Sequence, residues 1–172
     1  MDNASLVSLV DQLRGQQRES AVVEFKSNLN EPSEIGQYIS ALANAAVLEL
    51  QDRAWIIWGV DDQTHQVAGT GFDPFNKKAE GRQALIMWLT HKITPRPDFK
   101  FHEVQHPQGR VVVLEIYPPR SSPLAFAGER FIRIDSHKTK LSNHPDKEAR
   151  LWDLLGQKQD WTGEVVSDAT MD

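Results

Sequence analysis

The sequence contains no cysteine, which excludes disulfides, thiolate metal sites and a cysteine nucleophile. It also lacks a run of about 18 apolar residues, and its first 18 residues hold no apolar signal segment, which predicts a cytoplasmic protein without a membrane partner. No GxxxxGK[ST] motif occurs, so ATP binding has no support in this chain. The six histidines show no metal-binding spacing such as HExxH.

Acidic residues exceed basic ones, with a formal net charge of −5 over 172 residues, which argues against a strongly basic nucleic-acid coat. The distribution is uneven, however. Residues 110–140 hold six Lys or Arg and three Asp or Glu, whereas residues 141–172 hold three against seven. The basic stretch fits either a solvated hairpin or a surface that contacts phosphate.

Apolar periodicity predicts one α+β domain with a mixed sheet, in the order αβαβαββββα. The first stretch to notice is "AVVEFKSNLN", a strand in which Glu24 and Lys26 share one face. That face either meets water or lines a site. The predicted helices begin at Ser5, Pro32, residue 77 and residue 144, and the predicted strands cover about 21–26, 54–60 and two stretches between Asp98 and Pro118, followed by a hairpin turning at Gly128.

Five short motifs follow one another in a characteristic order: "ESAVVEFK", "ISALANA", "WGVDD", "VAGTGF" and "FIRIDS". Over roughly residues 15–140 the sequence thereby resembles the Schlafen-type AlbA-like domain of bacterial transcriptional regulators and helicase-related proteins. In that family Gly-Gly commonly follows the Ala-Asn pair, whereas Asn44 here precedes "AAVLELQDRA". A longer turn into the central strand is expected, and Asn44 itself is expected to hydrogen-bond a helix end.

The resemblance implies nucleic-acid binding, to DNA or RNA, through basic side chains. We expect these to be Lys26, Arg120, Arg130, Arg133, Lys138 and Lys140.

It also implies an alternative, a ribonuclease or other nuclease that uses Mg²⁺ or Mn²⁺. The catalytic residues would be Glu19, Glu24 and Asp61, and the metal ligands would be these three with Asp62. Clustered carboxylates suit such ions, which stabilise charge on a phosphodiester and activate water. The simpler interpretation is that Glu24 and Lys26 form a solvated strand face and that the Asp pair starts a turn.

A third alternative is a protein-interaction or dimerisation domain, with a homodimer as one form. The expected domain covers residues 1–156, and residues 157–172 are expected to be an acidic tail or a truncated linker. On this hypothesis the chain is the N-terminal domain of a longer regulator, with further domains as partners.

Overall fold

Two four-stranded sheets and four helices form the part of the chain that the computed structural model describes, residues 1–16 and 20–157. The predicted α+β class is confirmed. The helices are α1 (Asn3–Arg14), α2 (Pro32–Leu48), α3 (Leu85–Lys92) and α4 (145–157), and the strands are β1 (Val23–Lys26), β2 (Ala54–Trp58), β3 (Ile93–Thr94), β4 (Phe99–His106), β5 (Gly109–Ile116), β6 (Ala125–Phe126), β7 (Glu129–Ile134) and β8 (His137–Lys140).

The first sheet has the strand order β1-β2-β5-β4 and is mixed, because β1 runs parallel to β2 while the other two pairs are antiparallel. The second sheet has the order β3-β6-β7-β8 and is antiparallel throughout. Strand β2 lies inside the first sheet, as its nearly continuous apolar sequence predicts. Within the described residues, no helix is both long and apolar enough to cross a bilayer.

Helix α2 packs between the two sheets, and α1 covers the opposite face of the first sheet. Pro32, in the first turn of α2, has the backbone angle that a helix start requires. The Glu31 side chain accepts hydrogen bonds from the amides of Ser33 and Glu34 and so caps the helix. Gly36 lets the helix approach the second sheet closely, since a Cβ there would lie 2.2 Å from the Phe126 ring. This helix therefore connects the two halves of the core.

The predicted helix over 77–93 is wrong in its first half. Gly81 and Arg82 both have positive φ angles of 65° and 63°, which no α-helix accommodates, and Lys78 instead forms a β-bridge with Ala84. Strands β3 and β8 also escaped prediction. Strand β3 has two residues, and the residues of β8 are exposed or only half-buried, so that neither gives a clear hydrophobic pattern.

A buried carboxylate, Glu115 on β5, is bonded by His102 on β4 and by Arg53, the residue just before β2. Its two oxygens lie 3.1 Å from His102 Nε2 and 3.0 Å from Arg53 Nε, and the Tyr117 hydroxyl lies 3.4 Å away. Burial by itself raises the pKa of Glu115, but the hydrogen bonds from His102 and Arg53 outweigh it and leave that pKa below its ordinary value.

A pKa lowered in the folded state means that Glu115 stabilises the fold above its unfolded pKa, and that this contribution is lost as the pH falls through the folded value. We therefore expect the free energy of unfolding to fall as the pH drops below about 4.3, the ordinary pKa of a glutamate, and to fall less steeply in Glu115→Gln. Urea unfolding of both proteins at several pH values measures this difference. Parallel pH profiles would contradict it.

Candidate nucleic-acid interface

Glu24 does not face open water. It lies on the face of β1 that points towards α2 and the second sheet, and only 6% of its surface is exposed. One carboxylate oxygen, Oε2, lies 2.5 Å from Arg133 Nη2, and the other, Oε1, lies 3.1 Å from Lys26 Nζ. The carboxylate is thus shared by one buried and one half-buried cation.

Arg133 on β7 completes this buried pair. Its Nη1 donates to the backbone oxygens of Ser20 at 2.5 Å and Val23 at 2.6 Å, and the residue is 2% exposed. The prediction of Arg133 as a phosphate contact does not agree with this burial, since its guanidinium faces the protein interior. Alternation on β7 directs it there, because Arg133 shares its face with Phe131, while Ile132 packs on the other side.

Next to the Glu24–Arg133 pair, the ammonium groups of Lys26 and Lys138 both lie over the ring of Tyr38. Their ammonium nitrogens lie 4.8 Å and 4.6 Å from the centre of the Tyr38 ring, distances that allow cation–π attraction. Lys138 Nζ also donates to Glu34 Oε2 and Gln37 Oε1, both at 2.7 Å. Both lysines were predicted as binding residues, and the fold brings them together from distant parts of the sequence.

Lys26 remains a cation at this position. Its burial lowers the pKa, but the Tyr38 hydroxyl and the Glu24 charge act in the opposite direction and raise the pKa of Lys26 above its ordinary value. Among the residues that the structure describes here, Lys26, Lys138 and Arg133 stand against Glu24 and Glu34, which leaves one net positive charge.

The remaining predicted basic residues lie at the surface or close to it. Arg120 is exposed at the rim of a cleft, and Lys140 is exposed with its Nζ 3.4 Å from Glu129 Oε1. Arg130 is half-buried, and its guanidinium carbon lies 5.1 Å from the centre of the Trp152 ring. Arg120 and Lys140 are thus accessible to a ligand, and Arg130 is partly accessible.

Of the predicted carboxylate site, the structure describes Glu24, Asp61 and Asp62. Asp61 closes its own turn by accepting hydrogen bonds from the amides of Gln63 and Thr64, which lower its pKa, and Asp62 is exposed. Among residues 1–16 and 20–157, no three acidic or histidine side chains lie close enough to hold a metal ion. Glu19 lies outside the described residues, so the metal site, and with it Mg²⁺ or Mn²⁺, stays a prediction.

Comparison with protein families matches residues 19–142 to Schlafen, AlbA_2. The chain belongs to the Schlafen, AlbA_2 family. That range contains the Glu24–Arg133 pair and the two lysines at Tyr38, Lys26 and Lys138. A comparison with curated proteins gave no match.

Two solved structures are similar to this Schlafen, AlbA_2 chain at low identity. One is the DIP2311 protein from Corynebacterium diphtheriae, with 16% identity and a TM-score of 0.48 over 80% of this chain, which spans 26% of the length of that protein. The other is the N-terminal domain of a protein from Nitrosomonas europaea described as related to the ATP-dependent DNA helicase RecG, with 18% identity and a TM-score of 0.43 over 71% of this chain and 76% of that one.

In this Schlafen, AlbA_2 chain a second polar network attaches the β6–β7 hairpin to α2. Asn44 is fully buried, and its amide donates to the oxygens of Leu124 at 3.0 Å and Phe131 at 2.8 Å, while its oxygen accepts from the Leu124 amide at 2.8 Å. Ser40 adds bonds to the Leu124 oxygen and from the Phe131 amide. Asn44 therefore bonds the backbone of β7 and of Leu124, the residue just before β6, rather than a helix end.

Sequence reasoning missed Tyr38, Glu34 and Gln37, which complete the lysine cluster. Glu34 and Tyr38 are four residues apart on α2, so they share a face, but nothing in that spacing points to Lys26 or Lys138. Their partners are fixed only by how α2 packs against both sheets.

Proposed function

We propose that the chain is a nucleic-acid-binding module whose phosphate contacts centre on Lys26 and Lys138 beside Tyr38. The observation that carries this proposal is the meeting of these two lysines at one ring, where basic side chains outnumber acidic ones among the described residues. Membership of the Schlafen, AlbA_2 family supports it, because the resemblance to that domain implies nucleic-acid binding. Arg120, Arg130 and Lys140 extend the contact.

The Glu24–Arg133 pair supports the lysine cluster. Arg133 connects β7 to the backbone before and within β1, and β8, which carries Lys138, pairs with β7. The two lysines are thereby held at a fixed separation, which lowers the ordering cost when a phosphate binds. The finer proposal is that DNA is the ligand and that the module belongs to a transcriptional regulator with further domains.

Binding to a labelled oligonucleotide is expected to weaken linearly, on logarithmic scales, as salt rises. Each phosphate contact releases counterions and contributes about 0.7 to 0.9 to the slope, with single strands at the lower value. Replacing both Lys138 and Arg120 by Ala should therefore lower the affinity. It should also make the log–log salt slope less steep, by about one to two units for the two contacts together. Fluorescence anisotropy between 50 and 200 mM salt, a range over which such slopes are resolved, measures both quantities.

Lys100→Ala is the control, because Lys100 is exposed on β4, the strand at the opposite edge of the first sheet from β1 and Lys26. It should leave the slope unchanged. If Lys100→Ala lost as much affinity and slope as the Lys138→Ala/Arg120→Ala variant, binding would depend on the overall charge of the protein rather than on contacts at Lys138 and Arg120. No binding at low salt would contradict the proposal and favour the protein-interaction alternative, and cleavage that needs Mn²⁺ and stops with EDTA would support the nuclease.

A further inference from the structure

A polar groove of about 370 Å³ opens between the loop that follows β1 and the loop at 71–77. It begins two residues beyond Lys26, the last residue of β1, and so adjoins the lysine cluster along the chain. Its volume is within the range of small-molecule sites. The residues that line the groove are Asn28, Asn30, Gly71, Phe72, Asp73, Asn76 and Lys77.

Both walls of the groove are fixed by internal contacts. The Thr70 hydroxyl donates to the Ser27 oxygen at 3.2 Å, and the Trp58 indole donates to the Leu29 oxygen at 2.6 Å. Phe72 stacks on Trp58 with ring centres 4.7 Å apart, so the apolar side of the groove is rigid. A groove of this kind exists before a ligand arrives.

Two of the three carboxamides in the lining have no hydrogen-bond partner among the residues that the structure describes. The side chains of Asn28 and Asn30 are exposed and make no hydrogen bond to any described residue of the chain. Asn76 instead donates to Asp73 Oδ2 at 2.6 Å, which engages that carboxylate, and Lys77 is the one cation of the lining. The groove therefore offers neutral donors and acceptors more than it offers charge.

A carboxamide presents one acceptor oxygen and two donor hydrogens side by side, which is the pattern that pairs with the edges of nucleobases. Phosphate, by contrast, is bound by cations, and those lie in the lysine cluster. Phe75, in the same turn as Asn76, leaves 50% of its surface exposed and gives a neighbouring base an aromatic face for stacking.

We propose that this groove receives an unpaired nucleobase, so that the chain prefers single-stranded nucleic acid to a duplex of the same sequence. The inference rests on the proposed function and adds the ligand class. A base inside a duplex has its Watson–Crick edge paired and its faces stacked, so it cannot offer that edge to the groove or a face to Phe75 without being extruded.

The test compares a fluorescein-labelled single strand of about a dozen nucleotides with the duplex of the same sequence, by anisotropy at low salt. Wild type should bind the single strand more tightly. The double variant Asn28→Ala/Asn30→Ala should lose about tenfold in affinity for the single strand, since it removes the contacts to the base edge, and should change its affinity for the duplex less than about twofold. Phe75→Ala should act in the same direction by removing stacking.

Asn143→Ala is the matched control, since Asn143 is also exposed and lies in the turn after β8. Because all the substituted side chains are exposed, circular dichroism and thermal unfolding should match wild type. If both variants bind the single strand as wild type does, or if wild type binds the duplex equally well, the groove proposal is overturned while the binding function stands. Absence of binding to either nucleic acid would overturn both.

Discussion

Arg133→Ala is expected to lower the free energy of unfolding by about 3–5 kcal/mol, the usual cost of removing one partner of a buried ion pair. The loss would leave the Glu24 carboxylate, 6% exposed, without its closest described cation, and would remove the guanidinium donor from the Val23 oxygen and from the Ser20 oxygen, which keeps its bond from the Val23 amide. Urea unfolding followed by circular dichroism measures the difference.

The double variant Glu24→Leu/Arg133→Leu separates the pair from its members. Because it removes both charges together, we expect it to be more stable than Arg133→Ala, in line with buried pairs that tolerate joint apolar replacement. Lys140→Ala serves as the surface control, since its pair with Glu129 is exposed and should contribute under about 1 kcal/mol. A change in Arg133→Ala no larger than that of Lys140→Ala would show that the buried pair has little effect on stability.

Asn44→Ala is expected to cost about 2–5 kcal/mol, because it leaves the Leu124 amide and the Phe131 oxygen without their carboxamide partner inside the protein. Each buried polar group left without a partner costs about 1–3 kcal/mol. The Leu124 oxygen keeps its bond from Ser40. Thermal and urea unfolding both measure the loss.

Asn44→Asp tests which half of the amide matters. The aspartate oxygens can still accept from the Leu124 amide, but they face two carbonyl oxygens to which they cannot donate when ionised. We expect this variant to be at least as unstable as Asn44→Ala at neutral pH and to recover partly in acid, where the protonated carboxyl can donate. Asn143→Ala, in an exposed turn, should change stability by less than about 0.5 kcal/mol. Full stability of Asn44→Asp at neutral pH would contradict the donor role of the Asn44 side-chain amide.

Local sequence signals predicted much of the fold. The strand β2, the Pro32 start of α2 and the β4–β5 hairpin each follow from an apolar pattern with a neighbouring turn or cap signal. The α3 region failed because its apolar spacing is helical while Gly81 and Arg82 adopt positive φ angles, which propensity alone does not reveal.

The candidate site was predicted less well than the fold. Lys26 and Lys138 could be proposed from local charge, but their meeting at Tyr38 depends on the packing of α2 against β1 and the second sheet. Arg133 looked like its basic neighbours in the sequence. Its burial follows from strand alternation combined with the position of Glu24, a partner about a hundred residues away that no local pattern indicates.

The position of α2 between two sheets also constrains the order in which a nascent chain can fold. The backbone groups that Asn44 binds come 80 and 87 residues later, at Leu124 and Phe131. Until those residues have left the ribosome, the buried Asn44 and Ser40 side chains have no native partners, and the apolar face of α2 that packs on the second sheet stays uncovered. A chain interrupted before residue 124 would therefore expose an apolar helix face that is prone to aggregation. Contacts of such long sequence separation also make the last step of folding slow relative to helix formation.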